Sequence, residues 1–161
     1  MSKTLYLVTG AMGYLGNTII SKLAAQGKLI RGLALPNDNT ISYTQPNVEI
    51  VHGDVRDKDS LTSFFSHNPD TELIVIHTAA IVSISSKVDK KVVDVNGTKN
   101  IVELCLRHKV KKLVHTSSVH AIPEKSHGET ITEVSEFDPK SVHGLYAKTK
   151  AAASQIVLNA V

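Results

Sequence analysis

The sequence predicts a doubly wound α/β fold: about five parallel strands in the order 3-2-1-4-5, with helices on both faces. Three observations predict it. Short unbroken runs of Val, Ile and Leu recur along the 161 residues, as expected of strands buried on both faces. Amphipathic stretches of helical period separate them, so strand and helix alternate. Right-handed crossovers then leave few ways to order the strands. A glycine-rich turn also joins the first strand to the first helix.

The strands are expected at Leu5–Thr9, Leu29–Leu35, Val48–Val51, Leu73–His77 and Leu113–Thr116. The first helix is expected over Gly16–Gln26, with Ile19, Ile20 and Leu23 on one side and Gly27 as its stop signal. A second, over Asp57–Ser66, buries Leu61, Phe64 and Phe65. A third, over Val88–His108, turns Val92, Val95, Ile101, Val102 and Leu104 inward and ends in Lys and Arg, as the helix dipole favours. The Ala- and Lys-rich stretch Gly144–Val161 is the fourth. Thr40–Asn47 and Pro123–His143 read as loops, the second long enough to be functional.

Hydrophobic residues make up 42% and charged residues 20%, which excludes a disordered chain. A net charge of +3, with scattered Lys and Arg, excludes a nucleic-acid-binding surface. A single cysteine, Cys105, excludes a disulfide framework and a Cys-rich zinc site; its apolar neighbours make it a core residue. The eight histidines show no HxxxH or HExxH spacing, so no metal is expected. The longest apolar-rich stretch, Leu73–Val82, is too short to span a membrane. With no leader-like segment at its start, the chain is expected to be cytoplasmic.

The turn Val8-Thr9-Gly10-Ala11-Met12-Gly13-Tyr14-Leu15-Gly16 carries the strongest local signal. Gly10 permits the tight turn, Gly13 lets the backbone approach a pyrophosphate, and Gly16 lets helix and strand pack closely. The helix N-terminus that follows presents N–H groups and a positive dipole end to the phosphates.

These residues resemble the cofactor turn of the extended branch of the short-chain dehydrogenase/reductase superfamily, a branch with a Rossmann-like fold. Further segments match that branch in order: Gly53-Asp54-Val55 its adenine-contacting Asp and apolar neighbour, His77-Thr78-Ala79-Ala80 its HxAA turn beside the cofactor ribose, Asp94–Asn100 its vNvxGTxN helix, Thr116-Ser117-Ser118 the end of its fifth strand, and Tyr146-Ala-Lys-Thr-Lys150 its YxxxK. The resemblance implies an NAD- or NADP-binding domain over residues 1–161, held by Gly10, Gly13, Tyr14, Leu15, Gly16, Asp54, Val55, Thr78, Ala79, Ala80 and Lys150. It implies catalysis by Ser118, Tyr146, Lys150 and Asn96, with Ser117 second to Ser118. It also implies pairing of two copies through the helices at 88–108 and 146–161. Members usually run well beyond this length, so the chain is expected to be the cofactor portion of a longer enzyme, without the later strands and substrate lobe.

The chemistry agrees with the residue types. A Tyr phenol has a pKa of about 10, too high for a base near neutrality. A neighbouring Lys ammonium lowers it, and Tyr146 and Lys150 fall on one helix face at a spacing of four. A Ser hydroxyl at a strand end can hold the substrate oxygen. His120 and His143 flank this group.

The cofactor choice stays open, because neither an acidic nor a basic discriminator stands near Ala34 and Leu35; many relatives have Arg where this chain has Leu35, and although Asp38 could fold back toward the ribose, Pro36 stands in that path. The His-Thr-Ala-Ala-Ile-Val segment resembles the steroid dehydrogenase and dihydroflavonol reductase side of the branch, and Ala121-Ile122-Pro123 replaces the Val-Tyr-Gly of many sugar epimerases. An oxidoreductase acting on a small alcohol or carbonyl substrate is therefore favoured. A nucleotide-sugar epimerase or dehydratase, and a non-catalytic nucleotide-binding module, are the alternatives.

Overall fold

The computed structural model of the chain describes residues 3–81 and 91–160. Five parallel strands, β1 (Lys3–Thr9), β2 (Leu29–Ala34), β3 (Val48–His52), β4 (Thr71–His77) and β5 (Lys112–His115), lie in the order β3-β2-β1-β4-β5, as the sequence predicts. The order reverses between β1 and β4, which opens a crevice at the carboxyl ends of the strands. One register row crosses the sheet there: Val51, Leu33, Thr9, His77 and His115 are neighbours from β3 to β5.

The side-chain period of two divides the core between the faces. On one face Leu7, Leu33, Leu73 and Val75 meet Leu61, Phe64 and Phe65 of the β3–β4 connection and Ile101, Leu104 and Cys105 of α3 (Thr98–Arg107). On the other, Val8 and Ile30 meet Ile20 and Ala24 of α1 (Tyr14–Ala25). Toward β5 that second face is more open, with Ile74 and Ile76 half-buried and Val114 exposed. Cys105 is buried, and burial pushes its thiol up to about 12, so it is an inert core residue.

Two helices differ from the sequence expectation. The segment expected as a helix over Asp57–Ser66 forms a 3₁₀ turn (Asp59–Leu61) followed by a single α-helical turn, α2 (Thr62–Phe65). One side chain explains its end: the Arg31 guanidinium donates to the carbonyls of Ser63, Phe64 and Ser66, closing the helix from a neighbouring strand. The long helix expected from Val88 is a π-helical turn over Lys91–Gly97 that passes into α3; residues 88–90 lie outside the described residues. The last helix, α4 (Leu145–Leu158), agrees with expectation and packs on α3. Residues 122–144 form no regular element, yet the loop is anchored: Val142 is buried against Ala121, Ala147 and Ala151, and the Phe137 N–H donates to Gln155 Oε1 at 2.7 Å. Among the described residues no helix is long and apolar enough to cross a membrane.

Phe64 is fully buried and meets Phe65 edge-on with ring centroids 5.3 Å apart. Phe64→Ala should lower the unfolding free energy by about 3–5 kcal/mol, read as a lower urea midpoint at unchanged slope. A loss below about 1 kcal/mol would mean that the α2 face is not part of the core.

Candidate functional site

A cleft of about 370 Å³ opens at the carboxyl ends of β1 to β4, where the strand order reverses. Its wall holds the glycine turn, the ends of β2 and β3 and the segment after β4. Gly10, Gly13, Tyr14, Leu15, Gly16, Asp54, Val55, Thr78, Ala79 and Ala80, all named from the sequence, line it together. Lys150, the remaining residue of that set, is not among its lining residues.

The glycines have distinct reasons. Gly10 adopts φ +69°, a conformation that costs a residue with a Cβ. A Cβ on Gly16 would stand 2.1 Å from the Gly10 carbonyl oxygen, so only glycine lets α1 start this close to β1. The helix then begins at Tyr14, two residues before the expected Gly16, with no side-chain cap on its first N–H groups and no acidic residue in its first turn. Those N–H groups have no intrahelical partner, and Tyr14, Leu15 and Gly16, which carry them, line the cleft. Tyr43, which the sequence left unassigned within a loop, buttresses the turn: its hydroxyl lies 2.9 Å from the Ala11 carbonyl oxygen and 3.0 Å from Asn17 Oδ1.

A buried polar chain fixes the far wall. Thr9 Oγ1 accepts from the N–H groups of Thr78 and Ala79, both at 3.1 Å, so its own proton goes to His77 Nδ1 at 2.8 Å. His77 therefore carries its proton on Nε2, which donates to Thr98 Oγ1 at 3.0 Å, and that hydroxyl donates to the Asp94 carbonyl at 2.6 Å. Burial, with His115 and Lys150 nearby, lowers the His77 pKa to about 3. His115 stacks on it with ring centroids 5.6 Å apart and is lowered to about 4, again mainly by burial.

The expected catalytic residues lie on α4 and after β5. Lys150 is 4% exposed, and its ammonium donates to the Thr116 carbonyl at 2.8 Å. Burial lowers its pKa, while the Asp94 carboxylate acts in the opposite sense. Tyr146, one turn earlier, is half-buried and meets the His120 ring at 6.1 Å between centroids. Ser117 and Ser118 are told apart by their partners: Ser117 Oγ lies 2.6 Å from Ser154 Oγ, whereas among the described residues Ser118 Oγ accepts only the His120 N–H, at 3.3 Å. Ser118 thus keeps a proton to donate. His143 is exposed.

Asn96 does not join this group, because its side chain is exposed on the π-helical turn. The residue that ties this turn to its neighbours is Asp94, 2% exposed: Oδ1 accepts the Ile81 N–H at 2.9 Å and Oδ2 accepts the Thr149 hydroxyl at 3.1 Å. Registering the vNvxGTxN pattern on Gly97-Thr98 puts its first asparagine at position 94, the sequence signal that identifies it. Asp38, weighed from the sequence as able to fold back toward the ribose, lines the cleft, and so does Arg56, which was not assigned from the sequence. Arg56 Nε donates to Asp54 Oδ1 at 3.0 Å and to Oδ2 at 2.9 Å, and this bonding holds the Asp54 carboxyl below the usual carboxylate range.

Two measurements check this geometry. An unfolded His titrates near 6.5, while folded His77 and His115 titrate at about 3 and about 4. Between these values the unfolded chain binds more protons, so this contribution to stability is full above about pH 6.5 and is lost as pH falls. The urea midpoint should be lower at pH 5 than at pH 7.5; an unchanged midpoint would show that the pair is not held neutral. A Cβ on Gly13 meets only the Gly10 carbonyl oxygen, at 3.3 Å, whereas one on Gly16 collides. Gly13→Val should therefore keep the melting temperature within a few degrees and fill the cleft, while Gly16→Val should unfold the turn. Equal destabilisation by both would refute the distinction.

Comparison with known proteins agrees with this architecture. Residues 7–161 match the profile of the 3-beta hydroxysteroid dehydrogenase/isomerase family. Sterol demethylase protein B of Methylococcus capsulatus is 34% identical over 161 residues, covering 96% of this chain and 47% of that protein. The mouse 3 beta-hydroxysteroid dehydrogenase type 7 is 30% identical, covering 96% of this chain and 44% of its own length. A putative UDP-glucose 4-epimerase of Methanocaldococcus jannaschii is 32% identical over 86% of this chain and 46% of its own. Among solved structures, gox2253 superposes with a TM-score of 0.82 at 29% identity, over 99% of this chain and 47% of that one. The UDP-glucose 4-epimerase of Thermus thermophilus, solved with NAD, gives 0.74 at 28% identity, over 96% and 49%. The chain thus spans about half the length of these relatives, and it belongs to the 3-beta hydroxysteroid dehydrogenase/isomerase family, within the extended short-chain dehydrogenase/reductase superfamily.

Proposed function

We propose that residues 1–161 form the nicotinamide-dinucleotide domain of an oxidoreductase that interconverts an alcohol and its carbonyl compound. The observation that carries this reading is the convergence of the glycine turn, the ends of β2 and β3 and the Thr78–Ile81 segment on one cleft. The cleft fits a dinucleotide on chemical grounds. An uncapped helix terminus and the open space beside Gly13 suit a pyrophosphate, and Leu33, Val55 and Ile81 offer apolar walls. The bound nicotinamide supplies or takes up the hydride.

The protein's part is the proton. Tyr146 gives a proton to the carbonyl oxygen in reduction, or takes one from the hydroxyl in oxidation. Lys150, anchored by the Thr116 carbonyl, brings a cation to the same helix face and favours the phenolate. Ser118 donates a hydrogen bond to the substrate oxygen and fixes it toward Tyr146. Relatives named for hydroxysteroid dehydrogenation support a substrate that is a secondary alcohol or a ketone. The relative named as an epimerase supports a second reading, in which the same machinery begins an epimerisation at an alcohol carbon.

In the enzyme containing this chain, Tyr146→Phe should reduce turnover by about 10²–10⁴ while leaving dinucleotide affinity nearly unchanged. Turnover within threefold of the wild type would remove Tyr146 from the chemistry.

A further inference from the structure

We propose that Tyr43, from the loop between β2 and β3, is a positioning residue for the dinucleotide: its hydroxyl turns the Ala11–Met12 peptide so that the Met12 N–H meets a phosphate oxygen in the cleft. The inference rests on the dinucleotide reading above. Three observations carry it. First, the ring is anchored away from the ligand. It packs against the buried cluster of Val8, Ala11, Ile20, Ala24 and Ile30, and neither Tyr43 nor Asn17 is among the residues that line the cleft. Second, the hydroxyl has one proton and one place to put it. It lies 2.9 Å from the Ala11 carbonyl oxygen and 3.0 Å from the Asn17 amide. The carbonyl can only accept, whereas the amide can turn its NH₂ group toward the phenol oxygen, so the proton goes to Ala11. Burial raises the Tyr43 pKa, which keeps that proton in place. No other donor reaches the Ala11 carbonyl among the described residues.

Third, the other side of the same peptide is unpaired. None of the described peptide bonds is cis, and a trans peptide points its C=O and the following N–H in opposite directions. Holding the Ala11 carbonyl against Tyr43 therefore sends the Met12 N–H to the side of the turn where Met12 and Gly13 line the cleft. That N–H has no acceptor among the described residues. The N–H groups on either side of it do: Ala11 donates to the Leu33 carbonyl at 3.1 Å and Gly13 to the Gly10 carbonyl at 3.0 Å. An unpaired backbone donor beside the open space at Gly13 calls for an acceptor from a ligand. Without the Tyr43 hydroxyl nothing fixes its direction, and a donor held in advance binds better than one that must be turned.

The test is titration of the chain, wild type and Tyr43→Phe, with ADP and with adenosine, which keeps the nucleoside and lacks the phosphates. Phe keeps the ring in its apolar cluster, and circular dichroism confirms that the variant is folded. Tyr43→Phe should weaken ADP about three- to tenfold and leave adenosine within about twofold. In ¹H–¹⁵N spectra of the wild type, the Met12 amide signal should move downfield as ADP is added and far less with adenosine. Unchanged ADP affinity in Tyr43→Phe, or an equal loss for both ligands, would overturn the positioning role and leave the dinucleotide reading intact. A Met12 signal that ADP does not move would do the same, and it decides alone if the variant does not fold. Failure of the wild type to bind ADP, NAD⁺ or NADP⁺ would overturn the dinucleotide reading and this inference together.

Discussion

The arrangement depends on one buried hydroxyl. Thr9 ends β1, and its Oγ1 collects the N–H groups of Thr78 and Ala79 and gives its proton to His77. From there the chain of bonds runs through Thr98 to the π-helical turn, and Asp94 carries it on to Ile81 and to Thr149 of α4. The cleft wall and the helix bearing Tyr146 and Lys150 are therefore parts of one polar structure rather than separate loops. From Thr9 through His77 and Thr98 to the Asp94 carbonyl each donor meets an acceptor, so this run of bonds resists rearrangement: breaking one link exposes an unsatisfied group in a low-dielectric interior.

Position along the strands separates function from stability. At the carboxyl ends lie the glycine turn, Asp54 and Thr78, which line the cleft, and the Ser118 turn that follows β5. At the amino end of β2 stands Arg31, paired with Glu49 and capping α2, a role that concerns only folding. Both Arg31 and Arg56 are tied to carboxylates, but only Arg56 is tied to one at the cleft, where its charge bears on a ligand.

The strand order and the cofactor turn were legible because each rests on a local rule. Apolar runs suit the strands of a covered parallel sheet, although β3 and β5 at its edges bury less than the central strands; Gly10 holds a left-handed φ, and a Cβ on Gly16 would collide with the Gly10 carbonyl. The β2–β3 loop was not legible in the same way. Tyr43 reaches the site by a tertiary bond to Ala11 that no spacing in the sequence announces, whereas Asp38 could be named from the sequence but its path past Pro36 is set by the local bonds to Leu35 and Thr40. The short α2 escaped for a similar reason: its end is set by Arg31, more than thirty residues away. Ser117 and Ser118 are equivalent as sequence and differ only because one of them faces Ser154.

Asn96 is the instructive case: it was expected in the catalytic group but is exposed, and the side chain that ties this turn to its neighbours is a carboxylate two residues earlier. The surroundings explain why a carboxylate suits it. Asp94 receives two donors, the Ile81 N–H on one oxygen and the Thr149 hydroxyl on the other. An amide would offer only one acceptor oxygen and would turn its NH₂ group toward the second donor. The carboxylate satisfies both, at the cost of a buried negative charge. That cost is offset from the next residue along α4, where the buried Lys150 carries a positive charge that Asp94 helps to maintain. Neither group is well placed alone: the ammonium would be desolvated with only a carbonyl for company, and the carboxylate would be buried with only neutral donors. Together they let a cation persist beneath Tyr146's helix face in an interior that otherwise drives lysine toward its neutral form.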